Sequence, residues 1–283
     1  MPGPAYQYET VTVTVLDGHV AHVEMNRPKQ GNAFNTQLWD DYRRAFEDIA
    51  ADANVRAVVL TGAGKFFTVG LDIKDPKQAA TLMGDGGVAP DPARKAYQIR
   101  NLILKLQDTF TAMERCPQPV IACGHSAIIG AGVDLMCAAD VRFCAKDAWF
   151  SIKEVDIGMA ADVGTLQRIQ HCIGNASLVR ELAYTARRME SAEALSCGFV
   201  SRVFGTREDM FAGALATARL IASKSPVAVA GTKHQLLYAR GRPVEEGLHH
   251  MAVWNAGFLQ TEDMGKAALA SISKQDMPAF SKL

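Results

Sequence analysis

Valine and threonine alternate from Val11 to Val15, the chain breaks at Asp17-Gly18, and alternation resumes from Val20 to Met25. Period-two patterning on both sides of an Asp-Gly turn predicts a β-hairpin. From Thr36 to Ala50 the period becomes helical, with Leu38, Trp39, Tyr42, Phe46 and Ile49 on one stripe. The run "RAVVL" at 56–60 predicts a short buried strand that ends in the glycine-rich "TGAGKFFTVG". Residues 81–94, "TLMGDGGVAPDPAR", carry the Gly, Pro and Asp of a loop, and a helix is expected over 95–113, with Ile99, Leu102, Ile103, Leu106 and Phe110 on one face. Then come the strand "PVIACG", the glycine-rich "IIGAGVDLM" and the strand "DVRFC". Beyond Asp162 helices are expected at about 163–171, 176–186, 190–197, 209–223, 225–241 and 244–259, with a strand in "GFVSRVF". Alternating strands and helices followed by helices alone predict an α/β core with a helical C-terminal part.

The 283 residues are 48% hydrophobic and 21% charged, enough to bury a sizeable core. Lys plus Arg and Asp plus Glu both number 30, so no overall field favours nucleic acid or an anionic membrane surface. No run of about 18 apolar residues suggests a membrane span, and the start "MPGPAYQYET" lacks the regions of a secretory signal. Cys116, Cys123, Cys137, Cys144, Cys172 and Cys197 form no C-x-x-C pair, and no His cluster has metal-ligand spacing. They are expected to be reduced and to pack as small hydrophobes. The tripeptide Ser281-Lys282-Leu283 matches the address read by the peroxisomal import receptor.

Two strand ends share one design, an apolar strand, a glycine-rich turn and a helix start: "TGAGKFFTVGLDIKD" and "PVIACGHSAIIGAGVDLM". Glycines let a backbone approach a ligand closely, and helix starts carry unpaired N–H donors. Two such donors converging would suit the developing negative charge of an oxyanion. Tight packing is the alternative, and neither turn has the pattern of a phosphate loop. Asp134 follows the second turn, and Glu154, Asp156 and Asp162 lie in the apolar stretch "KEVDIGMAADVGTLQRI". Asp134 could complement a helix dipole and Asp162 could cap a helix. Glu154 has no such structural excuse, and on an extended chain Asp156 would share its face.

"NRPKQGNAFN", "GKFFTVGLDI" and "IIGAGVDLMCAADVRF" resemble the signature blocks of the crotonase, or enoyl-CoA hydratase/isomerase, superfamily. The stretch from Lys153 to Phe204 is similar to its Δ3,5-Δ2,4-dienoyl-CoA isomerases. The resemblance implies a crotonase-type ββα spiral core over 1–205 and a helical C-terminal trimerisation region over 206–283. It implies an oxyanion hole from the backbone N–H groups of Leu71 and Ala131, and catalytic Asp134, Glu154 and Asp162. The CoA moiety is expected along Lys29, Ala33, Lys65, Thr68, Val69, Gly70, Leu71, Asp72 and Ala131. One departure stands out: Gly130-Ala131-Gly132 replaces the usual three glycines, and Ala131 can serve only with negative φ.

The implied reaction moves a proton from C2 to C6 of a 3,5-dienoyl-CoA, with Glu154 at the C2 end, Asp162 at the C6 end and Asp134 tuning the pair. Acids crowded in one apolar pocket are expected to titrate together, with raised pKa values. No cofactor is expected beyond the CoA carried by the substrate. The implied partners are acyl-CoA, the import receptor and further copies of the chain in a homo-hexamer, with no nucleic acid and no membrane insertion. Ser281-Lys282-Leu283 points to the peroxisome, with mitochondrial or cytosolic location as the alternatives. The alternatives are an enoyl-CoA hydratase or Δ3-Δ2-enoyl-CoA isomerase, and a non-catalytic acyl-CoA- or RNA-binding scaffold.

Overall fold

Strands β1 (Val11–Leu16) and β2 (Val20–Met25) pair antiparallel across the Asp17-Gly18 turn, with Val13 opposite Val23, as the alternation predicts. They begin a six-stranded sheet in a computed structural model of the protein, which describes residues 6–76, 91–276 and 278–283. Helix α1 (Thr36–Ala51) crosses from β2 to β3 (Ala57–Gly62), and α2 (Pro92–Arg115) from β3 to β4 (Val120–Gly124). Parallel pairing continues from β4 to β6 (Val141–Ala145) and from β6 to β9 (Arg202–Phe204).

Every residue of β3 and β4 is buried, which explains why both runs are apolar without alternating polar positions. Their side chains still divide by parity. Val58, Leu60, Val120 and Ala122 enter a core with α1 and α2, while Ala57, Val59, Ile121 and Cys123 face the other side. That second face is covered by α7 (Arg207–Ala222) through Met210, Ala214, Ala218 and Ala222. Small residues at this spacing let the helix lie close to the sheet.

Of the loop expected at 81–94, residues 81–90 lie outside the described ones, and the chain is helical from Pro92. The Asp91 side chain accepts the N–H groups of Ala93 and Arg94, so Asp-Pro is here a helix start rather than a turn. A second sheet escaped the sequence pattern: β5 (Ala127–Ile129), β7 (Trp149–Ser151) and β8 (Met189–Glu190). Strands of two or three residues are too short to show a period. Helix α3 (Ala131–Ala138) leaves this sheet directly.

The later helices are α4 (Thr165–Arg168), α5 (Ala176–Thr185), α6 (Ser191–Ser196), α8 (Pro226–Tyr238), α9 (Val244–Phe258) and α10 (Glu262–Ile272). The last was not expected from the pattern. None of the described helices is long and apolar enough to cross a membrane.

Candidate active site

The two glycine turns, about 60 residues apart in sequence, meet through a short parallel bridge between Thr68 and Ile128. Thr68 N–H donates to Ala127 O and Ile129 N–H to Thr68 O, both at 3.2 Å. The Thr68 hydroxyl, fully buried, donates to Asn32 O at 2.7 Å and accepts from Gly70 N–H. Gly70 adopts φ +89°, and a Cβ there would stand 2.9 Å from Ile129 O and 3.8 Å from the Ala131 nitrogen. Only glycine permits this approach, which brings the Leu71 and Ala131 N–H groups to neighbouring positions. Neither N–H has an acceptor among the described residues. Ala131 is the first residue of α3 and has negative φ, so the departure from three glycines leaves its donor in place.

Gly130 carries the strain of that turn, at φ +51° and ψ −115°. A Cβ on it would lie 2.9 Å from Glu154 Oε1, so the Glu154 carboxyl sits beside the peptide that presents the Ala131 N–H. Glu154 begins a 3-10 turn, Glu154–Ile157, rather than an extended segment. The turn separates Asp156 from it: Asp156 is exposed and pairs with Lys153. Glu154 Oε2 is buried and has no hydrogen-bond partner among the described residues. Asp134, in the first turn of α3, is buried and accepts the Thr165 N–H at 2.5 Å. Asp162 does not cap α4, whose N-cap position is Gly164. Its backbone carbonyl instead accepts from Gln107 Nε2 at 2.7 Å.

These carboxyls lie within electrostatic reach of one another. Burial pushes Glu154 up to about 7, with the charges of Asp134 and Asp162 adding. Burial likewise pushes Asp134 up to about 6, against the Thr165 hydrogen bonds that favour its charged form. Asp162, half-buried, is also raised by desolvation. The cluster can therefore hold a proton on one carboxyl while another is ionised near neutral pH.

The expected CoA-contacting residues divide. Lys29 is exposed in the turn Pro28–Gln30, and Lys65 stands over the Phe66 ring at 5.1 Å. Their turns pack together, since a Cβ on Gly64 would stand 2.6 Å from Pro28 Cβ. Lys29 also lines a groove of about 400 Å³ with Arg27, Gln30 and Asn35. Asp72 is committed to an ion pair with Arg27 at 3.0 Å, and Arg27 also donates to Ala33 O. The side chains of Thr68 and Asp72 thus serve the fold, which leaves the backbone of the 68–72 segment as what it can offer a ligand. No group of three or more His, Cys, Asp and Glu among the described residues could hold a metal ion. Thr165, Gln107 and Arg168, which support the acids, were missed from sequence because a supporting contact leaves no spacing signal.

The family model for enoyl-CoA hydratase/isomerase matches residues 16–277. The chain belongs to that family. It is 50% identical to the mouse mitochondrial Δ3,5-Δ2,4-dienoyl-CoA isomerase over 98% of this chain and 84% of that one. It is 41% identical to the peroxisomal enzyme of the same name from Arabidopsis thaliana, over 94% of each. Among solved structures, the enoyl-CoA hydratase of Bacillus anthracis superposes with a TM-score of 0.84 at 27% identity, covering 96% of this chain and 99% of the other. The crotonase fold expected from the signature blocks is the fold observed.

Proposed function

We propose that the chain is an isomerase that converts 3,5-dienoyl-CoA to 2,4-dienoyl-CoA. The observation that carries this reading is the carboxyl cluster of buried Asp134, the buried Glu154 oxygen and half-buried Asp162, set beside two backbone donors that have no acceptor among the described residues. The thioester oxygen accepts from the Leu71 and Ala131 N–H groups, which stabilise the enolate as charge develops. Glu154 takes the C2 proton, the double bonds shift from the 3,5 to the 2,4 positions, and Asp162 supplies a proton to C6. One C–H bond breaks and one forms, so the step is redox-neutral and needs no redox cofactor. CoA arrives as part of the substrate, with its phosphates near Lys29 and Lys65.

Hydration fits less well. Asp134 spends its carboxyl on the buried Thr165 N–H and is poorly placed to hold an attacking water. The naming of both relatives supports the isomerase reading. Peroxisomal location is proposed from Ser281-Lys282-Leu283, which is exposed, and from the Arabidopsis relative, while the mouse relative is mitochondrial. Assembly with further copies is supported by apolar residues left open on the C-terminal helices, among them Leu236, Leu248, Leu269 and Ile272, and a hexamer is the order that the family resemblance implies.

The test is the rate of dienoyl isomerisation by Glu154→Gln and Asp162→Asn. Each substitution should lower kcat by about 10²- to 10⁴-fold, the range of general acid–base catalysis, with acyl-CoA binding nearly intact. Full activity in Asp162→Asn would sink the two-acid mechanism.

A further inference from the structure

Helix α2 presents Gln107, Thr111 and Glu114 at a spacing of four and then three residues, on one face. All of them grip the segment that carries Asp162 and Thr165. Gln107 Nε2 donates to the Asp162 carbonyl at 2.7 Å. Arg168 donates through Nη2 to Thr111 Oγ1 at 3.1 Å, and through Nη2 and Nε to Glu114 Oε2 at 2.9 and 3.2 Å. Arg240, just beyond α8, binds the other Glu114 oxygen. Arg168 and Glu114 are only 14% and 15% exposed, so this is a desolvated pair held on several sides rather than a surface contact.

Arg168 reaches the catalytic segment through Gly164. At φ +135° this residue favours glycine, and a Cβ on it would overlap the Arg168 guanidinium. The guanidinium therefore packs on the Gly164 backbone, next to the Thr165 N–H that holds Asp134. The segment 160–164 lies between the 3-10 turn Glu154–Ile157 and α4 and belongs to no regular element. Ala161 and Val163 anchor it in the core, and the Gln107 and Arg168 contacts set its backbone at Asp162 and Gly164.

We infer that this face of α2 positions the proton-transfer step: Gln107 fixes Asp162 through its carbonyl, and Glu114, through Arg168, fixes the Gly164–Thr165 peptide that holds Asp134. These are positioning residues, and the inference rests on the role proposed for Asp162. A proton acceptor or donor must lie within about 3 Å of its carbon in the reactive complex, and a misplacement of about 1 Å can cost on the order of 10²-fold.

The experiment compares Gln107→Met, which keeps length and loses the donor, with wild type and with the Asp162→Asn and Gln107→Met/Asp162→Asn enzymes. Kinetics on 3,5-dienoyl-CoA are paired with thermal melting. Gln107→Met should lower kcat by about 10- to 100-fold with KM within about twofold, and should lower the residual rate of Asp162→Asn little further. Arg168→Lys should keep more activity than Arg168→Met, since it retains a cation beside Glu114. Wild-type kcat in Gln107→Met, or the same fold loss in the Asp162→Asn background, would overturn the inference. A fall in kcat that tracks a lost folded fraction would overturn it too. If Asp162→Asn is itself fully active, the proposed function fails first, and the two failures are told apart by that single enzyme.

Discussion

Replacing Gly132 by alanine probes the proposed oxyanion geometry without touching a donor or an acid. A Cβ at Gly132 would stand 2.6 Å from Thr68 Cγ2 and 3.2 Å from Ile128 Cγ2. Carbon atoms prefer about 3.5–4.0 Å, so a relief of roughly 1 Å is required. Thr68 cannot supply it. It is fully buried, its hydroxyl is tied to Asn32 O at 2.7 Å, and its backbone pairs with β5. The start of α3 must move instead, and Ala131 N–H moves with it relative to Leu71 N–H. Overpacking of this kind costs about 1–3 kcal/mol of stability. Losing one oxyanion donor costs about 3–4 kcal/mol of barrier, or roughly 10²- to 10³-fold in kcat. Ala131→Gly is the control. The residue already has negative φ in a helix, so glycine there should cost about 0.5–1 kcal/mol of stability and leave kcat within about twofold. Initial rates followed through absorbance of the conjugated product, with melting curves, measure both. A Gly132→Ala enzyme that keeps wild-type kcat while folding normally would refute the placement of the hole.

Asp134 holds its proton more tightly folded than unfolded, at about 6 against 3.8, so its contribution to stability is full below about 4 and is lost as pH rises through about 6. Asp134→Asn should therefore raise unfolding free energy by up to about 3 kcal/mol at pH 8 and by little near pH 4; a gain equal at both, in denaturant titrations, contradicts the burial argument. The acid limb of kcat/KM should lie near the Glu154 value of about 7, since Glu154 must be ionised to take a proton, and Asp134→Asn should move that limb to lower pH by removing a neighbouring charge. A limb that stays put would separate the two carboxyls electrostatically. Burial raises the Cys197 thiol, whereas the side-chain contact between Cys137 and Cys172, aided by Arg142 and Arg240, lowers that of Cys172. Iodoacetamide at pH 7 should label Cys172 before Cys197 in a peptide-mapping time course.

The hairpin and α1 were legible because each keeps one period, of two and of 3.6, and β3 and β4 because they are short continuous apolar runs buried on both faces. The acids were legible as anomalies, carboxyls in apolar surroundings, and the resemblance assigned them roles. What the anomaly alone left open, the backbone resolved. Asp156 turned outward in a 3-10 turn and paired with Lys153, while Glu154 kept a buried oxygen without a partner among the described residues. Asp162 lost its alternative role as a helix cap, because Gly164 occupies that position.

Local sequence was enough to determine the alternation of strands and helices, the two glycine-rich strand ends and the identity of the acids, since all of these follow from periods and residue types over a few neighbouring positions. It could not determine that the two turns touch. That contact depends on the Thr68–Ile128 bridge and on packing that leaves no room for a Cβ at Gly70 or Gly132. Nor could it show that Gln107, Glu114 and Arg168, each unremarkable in its own segment, close around the Asp162 loop. A pKa is set by desolvation and by charges across space, and both arise only when distant segments are packed together.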